Sequence, residues 1–161
     1  MSRKENHKEK IHPRNGVIIN FDGNFNLDSL YNAIKKWFDD YRYDYYEKEN
    51  TEKNFPEGNF IVLKLEGRRE VDDYVKFFIE TEITVFRLNK IEKGYKGELK
   101  VNLRGFYLLD YNENWKSLPF LFYIYRKIIL KKKIDEFYEP KIYEELMNLT
   151  SEVKSNLGIA K

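Results

Sequence analysis

The sequence predicts an α+β domain: a curved antiparallel β-meander of three to five strands with helices packed on one face. Three observations carry this. First, the stretch EGRREVDDYVKFFIETEITVFRL, residues 66–88, is two-faced. Val71, Val75, Phe77, Ile79, Ile83 and Val85 occupy odd positions, and Asp72, Tyr74, Lys76, Phe78, Glu80, Glu82 and Thr84 occupy even ones. A period of two belongs to a strand with one buried face. Second, Leu27, Leu30, Tyr31, Ile34, Trp37, Phe38 and Tyr41 make one helical stripe. Third, the last third of the chain is helical in pattern, so helices are available to cover the apolar side of the sheet.

Residues 1–15 are charged and lack a period, and they read as a disordered basic tail in front of a single domain over 16–158. GVIINFDG, residues 16–23, is a short apolar run between glycines and reads as an initiating or edge strand. A helix is expected from Leu27 to Arg42, with Asn26 as its N-cap and Asp28 in the first turn, where a negative charge suits the helix dipole.

YDYYEKENTEKNFPEGN is ambiguous; Tyr43 and Tyr45 suit a strand leaving the helix, and Pro56 and Gly58 mark a turn. FIVLKLEG alternates Ile61, Leu63 and Leu65 against Lys64 and Glu66, which makes a strand. If Leu65 and Val71 face each other on the core side, the connection needs an odd number of residues or a bulge, and Gly67 suits either. After the long strand and a turn near residues 90–94, YKGELKVNLRGFYLLDY sets Leu99, Val101, Leu103, Tyr107, Leu109 and Tyr111 opposite Lys96, Glu98, Lys100, Asn102 and Arg104. Strands that follow one another with the same parity form a meander with one buried face.

Leu118, Leu121, Phe122, Tyr125, Ile128 and Ile129 form one further helical stripe, entered at Pro119. Ile142, Tyr143, Leu146, Leu149, Val153 and Leu157 form another, which Pro140 begins or kinks and Gly158 ends.

Composition narrows the chemistry. The chain has 161 residues, long enough for one real core, and with 13 Tyr and 12 Phe much of its apolar volume must be rings. There is no cysteine, which removes disulfides, thiolate zinc sites and thiol nucleophiles and suits a reducing, cytoplasmic setting. The only histidines, His7 and His12, fall in the expected tail. Histidine-dependent triads and HExxH metal chemistry are therefore not expected in the domain, and the scattered glycines form no phosphate loop. Carboxylates remain: Asp39, Asp40 and Asp44 near the helix end, and Asp72, Asp73, Glu80 and Glu82 on the long strand. Mixed with as many cations, they read first as a solvated, salt-bridged surface. The expectation is a protein without catalytic, cofactor or metal residues. No apolar run approaches the ~20 residues of a spanning helix.

Three segments, LDSLYNAIKKWFDDYRYDYYEKE, EGRREVDDYVKFFIETEI and FLFYIYRKIILKKKIDEFYEPKIYEELMNL, occur in that order. Together they resemble an uncharacterised archaeal protein family of about 150–160 residues, common in lineages with small genomes. The resemblance spans roughly residues 16–156 and implies a cytoplasmic archaeal protein. It implies no activity, cofactor or site residue.

Two surface features invite a partner. The charged face of the sheet also carries Tyr74, Phe78, Phe86 and Phe106, rings that could stack single-stranded bases or meet a second protein. RKIILKKK holds Arg126, Lys127, Lys131, Lys132 and Lys133 with no acid. These are a candidate anion contact, or else cations placed near a helix C-terminus with stems lying over apolar surface. The tail adds five cations against two acids in residues 1–14, while the rest of the chain is slightly acidic. The leading reading is a non-catalytic interaction module of the cytoplasm with a protein partner or as a homodimer. A weak, sequence-tolerant RNA- or DNA-binding protein comes second. A helix-grip-like carrier of an apolar small ligand, by analogy of fold alone, comes third.

Overall fold

The computed structural model describes residues 8–109, 120, 124 and 131–159 of the chain. Six strands form one antiparallel sheet: β1 (Lys8–Lys10), β2 (Val17–Phe25), β3 (Asp44–Lys53), β4 (Asn59–Glu70), β5 (Val75–Ile91) and β6 (Gly94–Leu109). Two long helices accompany it among the described residues, α1 (Leu27–Asp40) and α2 (Glu139–Asn156). The architecture is the α+β antiparallel sheet that the alternation predicts, with more strands than the expected three to five.

Strands β3 to β6 are a plain meander, each pairing with the next. The far edge of β6 is shared end to end: β2 pairs Val17–Phe25 with residues 103–95, and β1 pairs Lys8–Lys10 with residues 108–106. Helix α1 therefore links one edge of the sheet, β2, to the other, β3. It begins as the sequence predicts, with the Asn26 side chain accepting from the Ser29 N–H at 3.0 Å. It stops at Asp40, and Arg42 turns the chain at φ 62°.

The odd residues of β4, β5 and β6 face the helices. Leu65, Phe77, Ile79, Ile83, Val101 and Leu103 are buried among Leu30, Ile34, Trp37 and Phe38 of α1 and Ile142, Leu146, Leu149 and Val153 of α2. Burying one such side chain contributes roughly 1.5–3 kcal/mol. Two glycines of that face leave room for side chains that pack onto it. A Cβ on Gly67 would lie 2.4 Å from the Phe38 ring, and one on Gly105 would lie 2.8 Å from Ile11. Gly67 is thus a close-approach residue within a strand. This corrects the expected turn: β4 runs on to Glu70, Leu65 faces Thr81, and the reversal falls at residues 71–74. There the Asp72 carboxylate accepts the N–H groups of Tyr74 and Val75, both at 2.8 Å.

A second correction concerns the N-terminus. Of the expected tail, residues 8–15 are described, and they belong to the domain. Lys8–Lys10 are a strand, the Ile11 N–H donates to the Gly105 carbonyl at 3.1 Å, and the Ile11 side chain is buried. One isoleucine among charges shows no period, so pattern reading passes over it. Gly105 leaves the hollow it fills.

Before α2 the chain makes a helical turn, Lys131–Lys133, and a wider π-type turn, Ile134–Tyr138. Pro140 stands at the start of α2 and has no N–H to give the preceding turn, and the wider turn accommodates it. Gly158, at φ 73°, ends α2 as expected. The predicted helix over residues 118–130 lies mostly outside the described residues; Phe120 and Ile124, which are described, are helical and exposed.

Candidate interaction surface on the outer sheet face

The even residues of the meander, on the face away from both helices, divide into three zones. Cross-strand register brings Arg68, Phe78, Phe106 and Lys10 into one row at the β1 end. Phe78 does not stand open there, contrary to its expected role as a stacking ring: it is 4% exposed. The Lys8 ammonium sits 4.0 Å above its ring centroid, with Lys76 at 5.7 Å and the Arg68 guanidinium at 6.0 Å. Tyr74 and Phe106 are half-buried. The nearest cation over Phe78 comes from β1, a segment whose charged, aperiodic sequence predicts a tail.

The middle zone is ionic. Lys64 meets Glu80 at 3.5 Å, Arg104 lies 3.9 Å from Glu80 and 3.6 Å from Glu82, and Arg68 pairs with Glu66 at 2.6 Å. Glu66 and Glu80 are direct cross-strand neighbours, a repulsive placement that these cations offset. Such pairs hold register and leave little net charge for an anion.

The third zone is aromatic. Phe86 is 42% exposed and packs on Phe60 with centroids 5.3 Å apart; Phe55, in the β3–β4 turn, is 49% exposed. A register shift between Phe86 and Asn89, with Arg87 at φ 53°, bends β5 here. Phe86 forms a ridge between two open clefts. One, of about 250 Å³, is lined by Phe55, Gly58, Phe60 and Arg87, and the other, of about 410 Å³, by Asn20, Phe21, Asp22 and Leu99. Of the four rings named from sequence, Phe86 alone is this exposed. Its neighbours Phe55 and Phe60 were missed because they flank a turn of mixed composition, and their convergence with Phe86 depends on the β4–β5 register.

The cations of RKIILKKK are partly placed: Lys131, Lys132 and Lys133 are exposed on the turn before α2, and Arg126 and Lys127 lie outside the described residues.

The helix side holds two polar clusters. The Arg69 guanidinium grips the Glu145 carboxylate with both arms, Nη1–Oε1 at 2.6 Å and Nη2–Oε2 at 2.8 Å, and Nη1 also donates to the Tyr41 carbonyl at 3.0 Å. The Tyr43 hydroxyl donates to Glu145 Oε2 at 3.2 Å. Burial first, and then the Glu145 charge, push the Tyr43 phenol far above its ordinary value. The Trp37 indole donates to Asn148 at 2.9 Å. These contacts fasten α2 to β4 and to the end of α1. In the second cluster the Tyr107 hydroxyl lies 2.7 Å from Glu9 Oε2 and 3.0 Å from Glu139 Oε1, joining β1, β6 and α2. Burial and the Glu9 carboxylate raise its phenol in the same way. A buried tyrosine held protonated serves here as a donor. No helix of the described residues is long and apolar enough to cross a membrane.

No protein-family model matches the chain, and no curated protein or solved structure matches it.

Proposed function

We propose that the chain is a non-catalytic binding module that receives a protein partner on the aromatic end of its outer sheet face. The supporting observation is the grouping of Phe55, Phe60 and Phe86 on a face that neither α1 nor α2 covers, with a cleft on each side of Phe86. Rings near half exposure, flanked by ion pairs, are the composition of interface cores with polar rims. The cytoplasmic setting rests on the cysteine-free composition. The test is a photo-cross-linking residue at position 86, compared with one at Lys36 on exposed α1, in the cells that carry the protein. A discrete adduct at position 86 that Phe60→Asp abolishes is the expected result. Equal, diffuse labelling at both positions refutes the reading.

Nucleic-acid contact is the second reading, favoured by the cations around Phe78 and by exposed Lys131–Lys133. Binding of this kind is weak and electrostatic, so a mobility shift present at low salt disappears at moderate salt. Charge reversal at Lys131, Lys132 and Lys133 removes it. The carrier reading ranks last: Phe38 and Phe77, rings that could line its pocket, are wholly buried in the core.

A further inference from the structure

The two edges of the sheet are built differently. At one, β3 carries Asp44, Glu47, Lys48, Glu49, Glu52 and Lys53 and has a register shift between Glu47 and Glu49. Charge and a bulge are the usual guards against strand addition. At the other, the short β1 carries Lys8 and Lys10, which guard its end. Beside β1 on that edge lies β2, Val17–Phe25, with one charged residue, Asp22, and no proline or lysine. It pairs with β6 without a register shift over its whole length, and among the described residues β6 is its only strand partner. Among the described residues, its outward backbone N–H and C=O groups therefore form a row that no other strand pairs, with Gly23 at φ 145° near its end. Ile18 beside that row is 47% exposed.

We infer that β2 is a strand-addition site and that its occupant is β2 of a second copy of this chain, making one continuous sheet across a two-fold axis. A row of alternating backbone donors and acceptors is satisfied by another extended strand, and the side chains flanking the row supply specificity. The second copy fits on three counts. An isologous contact requires the same patch on both partners, and an antiparallel strand meets that condition with itself. The register that uses every residue of Val17–Phe25 centres on Phe21. It sets Phe21 against Phe21 and Val17 against Phe25 on the helix side, and Asn20 against Asp22 on the outer side. In that register the single acid of each strand faces an amide and not its own copy, so no like charges oppose. This surface is the backbone edge of β2; the Phe55–Phe60–Phe86 group adjoins it across the cleft that Phe86 shares with Asn20, Phe21 and Asp22.

The chain has no cysteine, which makes the test direct. Asn20→Cys and Asp22→Cys, both at exposed positions, are oxidised separately and as an equimolar mixture. Directly facing strand residues have Cα atoms about 4.5–5.5 Å apart, within disulfide reach. The expected result is a cross-linked dimer in the mixture at least tenfold faster than for Asn50→Cys on β3, together with a concentration-dependent dimer of the parent by light scattering. Ile18→Lys, which places a guard on the edge, yields a monomer with an unchanged circular dichroism spectrum. A parent that stays monomeric at every concentration, with mixture cross-linking no faster than the β3 control, overturns the inference. So does a dimer that survives Ile18→Lys and does not cross-link at these positions, since its contact lies elsewhere.

Discussion

At the scale of single residues, the Arg69–Glu145 pair is the interaction whose loss is most specific. The two side chains are 18% and 9% exposed, so removing one partner strands a charge with little water. Arg69→Met is expected to cost about 3–5 kcal/mol, and the double change Arg69→Met with Glu145→Leu less than Arg69→Met alone. Urea denaturation of the full cycle measures both. Gly67→Ala is a steric case: the added carbon meets the Phe38 ring, and overpacking of this kind costs about 1–3 kcal/mol. Phe38→Leu should relieve part of that cost, although it is destabilising by itself. Asp72 sets a pH dependence. Its own burial pulls the other way, but the Tyr138 hydroxyl at 2.6 Å and the N–H groups of Tyr74 and Val75 bring its carboxyl below the ordinary value. A depressed folded-state pKa stabilises above the unfolded value and is lost as pH falls through the folded one. Melting temperature should therefore fall on acidification below about pH 4. Asp72→Asn, which keeps the turn acceptor without the charge, should flatten that part of the profile.

At the scale of elements, β1 decides how the outer face is completed. It supplies the cation over Phe78 and the carboxylate on Tyr107, and it leads into the Ile11 plug above Gly105. Ile11→Ala is expected to destabilise the domain by about 2–4 kcal/mol, which a disordered tail residue would not do. The Ile11 amide, bonded to the Gly105 carbonyl, should be protected in hydrogen exchange; exchange at the unprotected rate would return residues 8–11 to a tail. The contrast between β2 and β3 belongs to the same scale, because edge behaviour is a property of a whole strand. The free backbone is alike in both, and charge and bulge distinguish them.

For the whole molecule, among the described residues, both helices pack on one face of the sheet and neither covers the other face. Ile79→Asp puts an unpaired charge where nothing is exposed and should abolish folding. Glu80→Lys, on the opposite face, sets a third cation beside Lys64 and Arg104 and should cost only about 1–2 kcal/mol. Comparable loss in both variants would mean that the outer face is covered as fully as the inner one. Both helices share that one core with the sheet, so far-ultraviolet and near-ultraviolet circular dichroism should report coincident unfolding.

The sequence by itself determined the class of fold, the parity of the meander, helix α1 with its Asn26 cap, and the end of α2 at Gly158, because each depends on a local period or a local backbone preference. The place of the β4–β5 reversal was not local. Glycine tolerates a turn, but Gly67 stands in a strand because the Phe38 ring, from a distant helix, occupies the space above it. The exposed rings divided on the same principle. Tyr74, Phe78, Phe86 and Phe106 share one parity, yet only position decides which of them meets solvent: Phe78 is buried with Lys8 over its ring, while Phe86, at the bend of β5, is open beside Phe55 and Phe60. The Arg69–Glu145 and Tyr107–Glu9 contacts and, among the described residues, the β2 edge that no other strand pairs were likewise decided only by the tertiary structure. An ion pair, a covered ring or a free strand edge depends on which distant segment arrives beside it, and no period in the chain records that arrival.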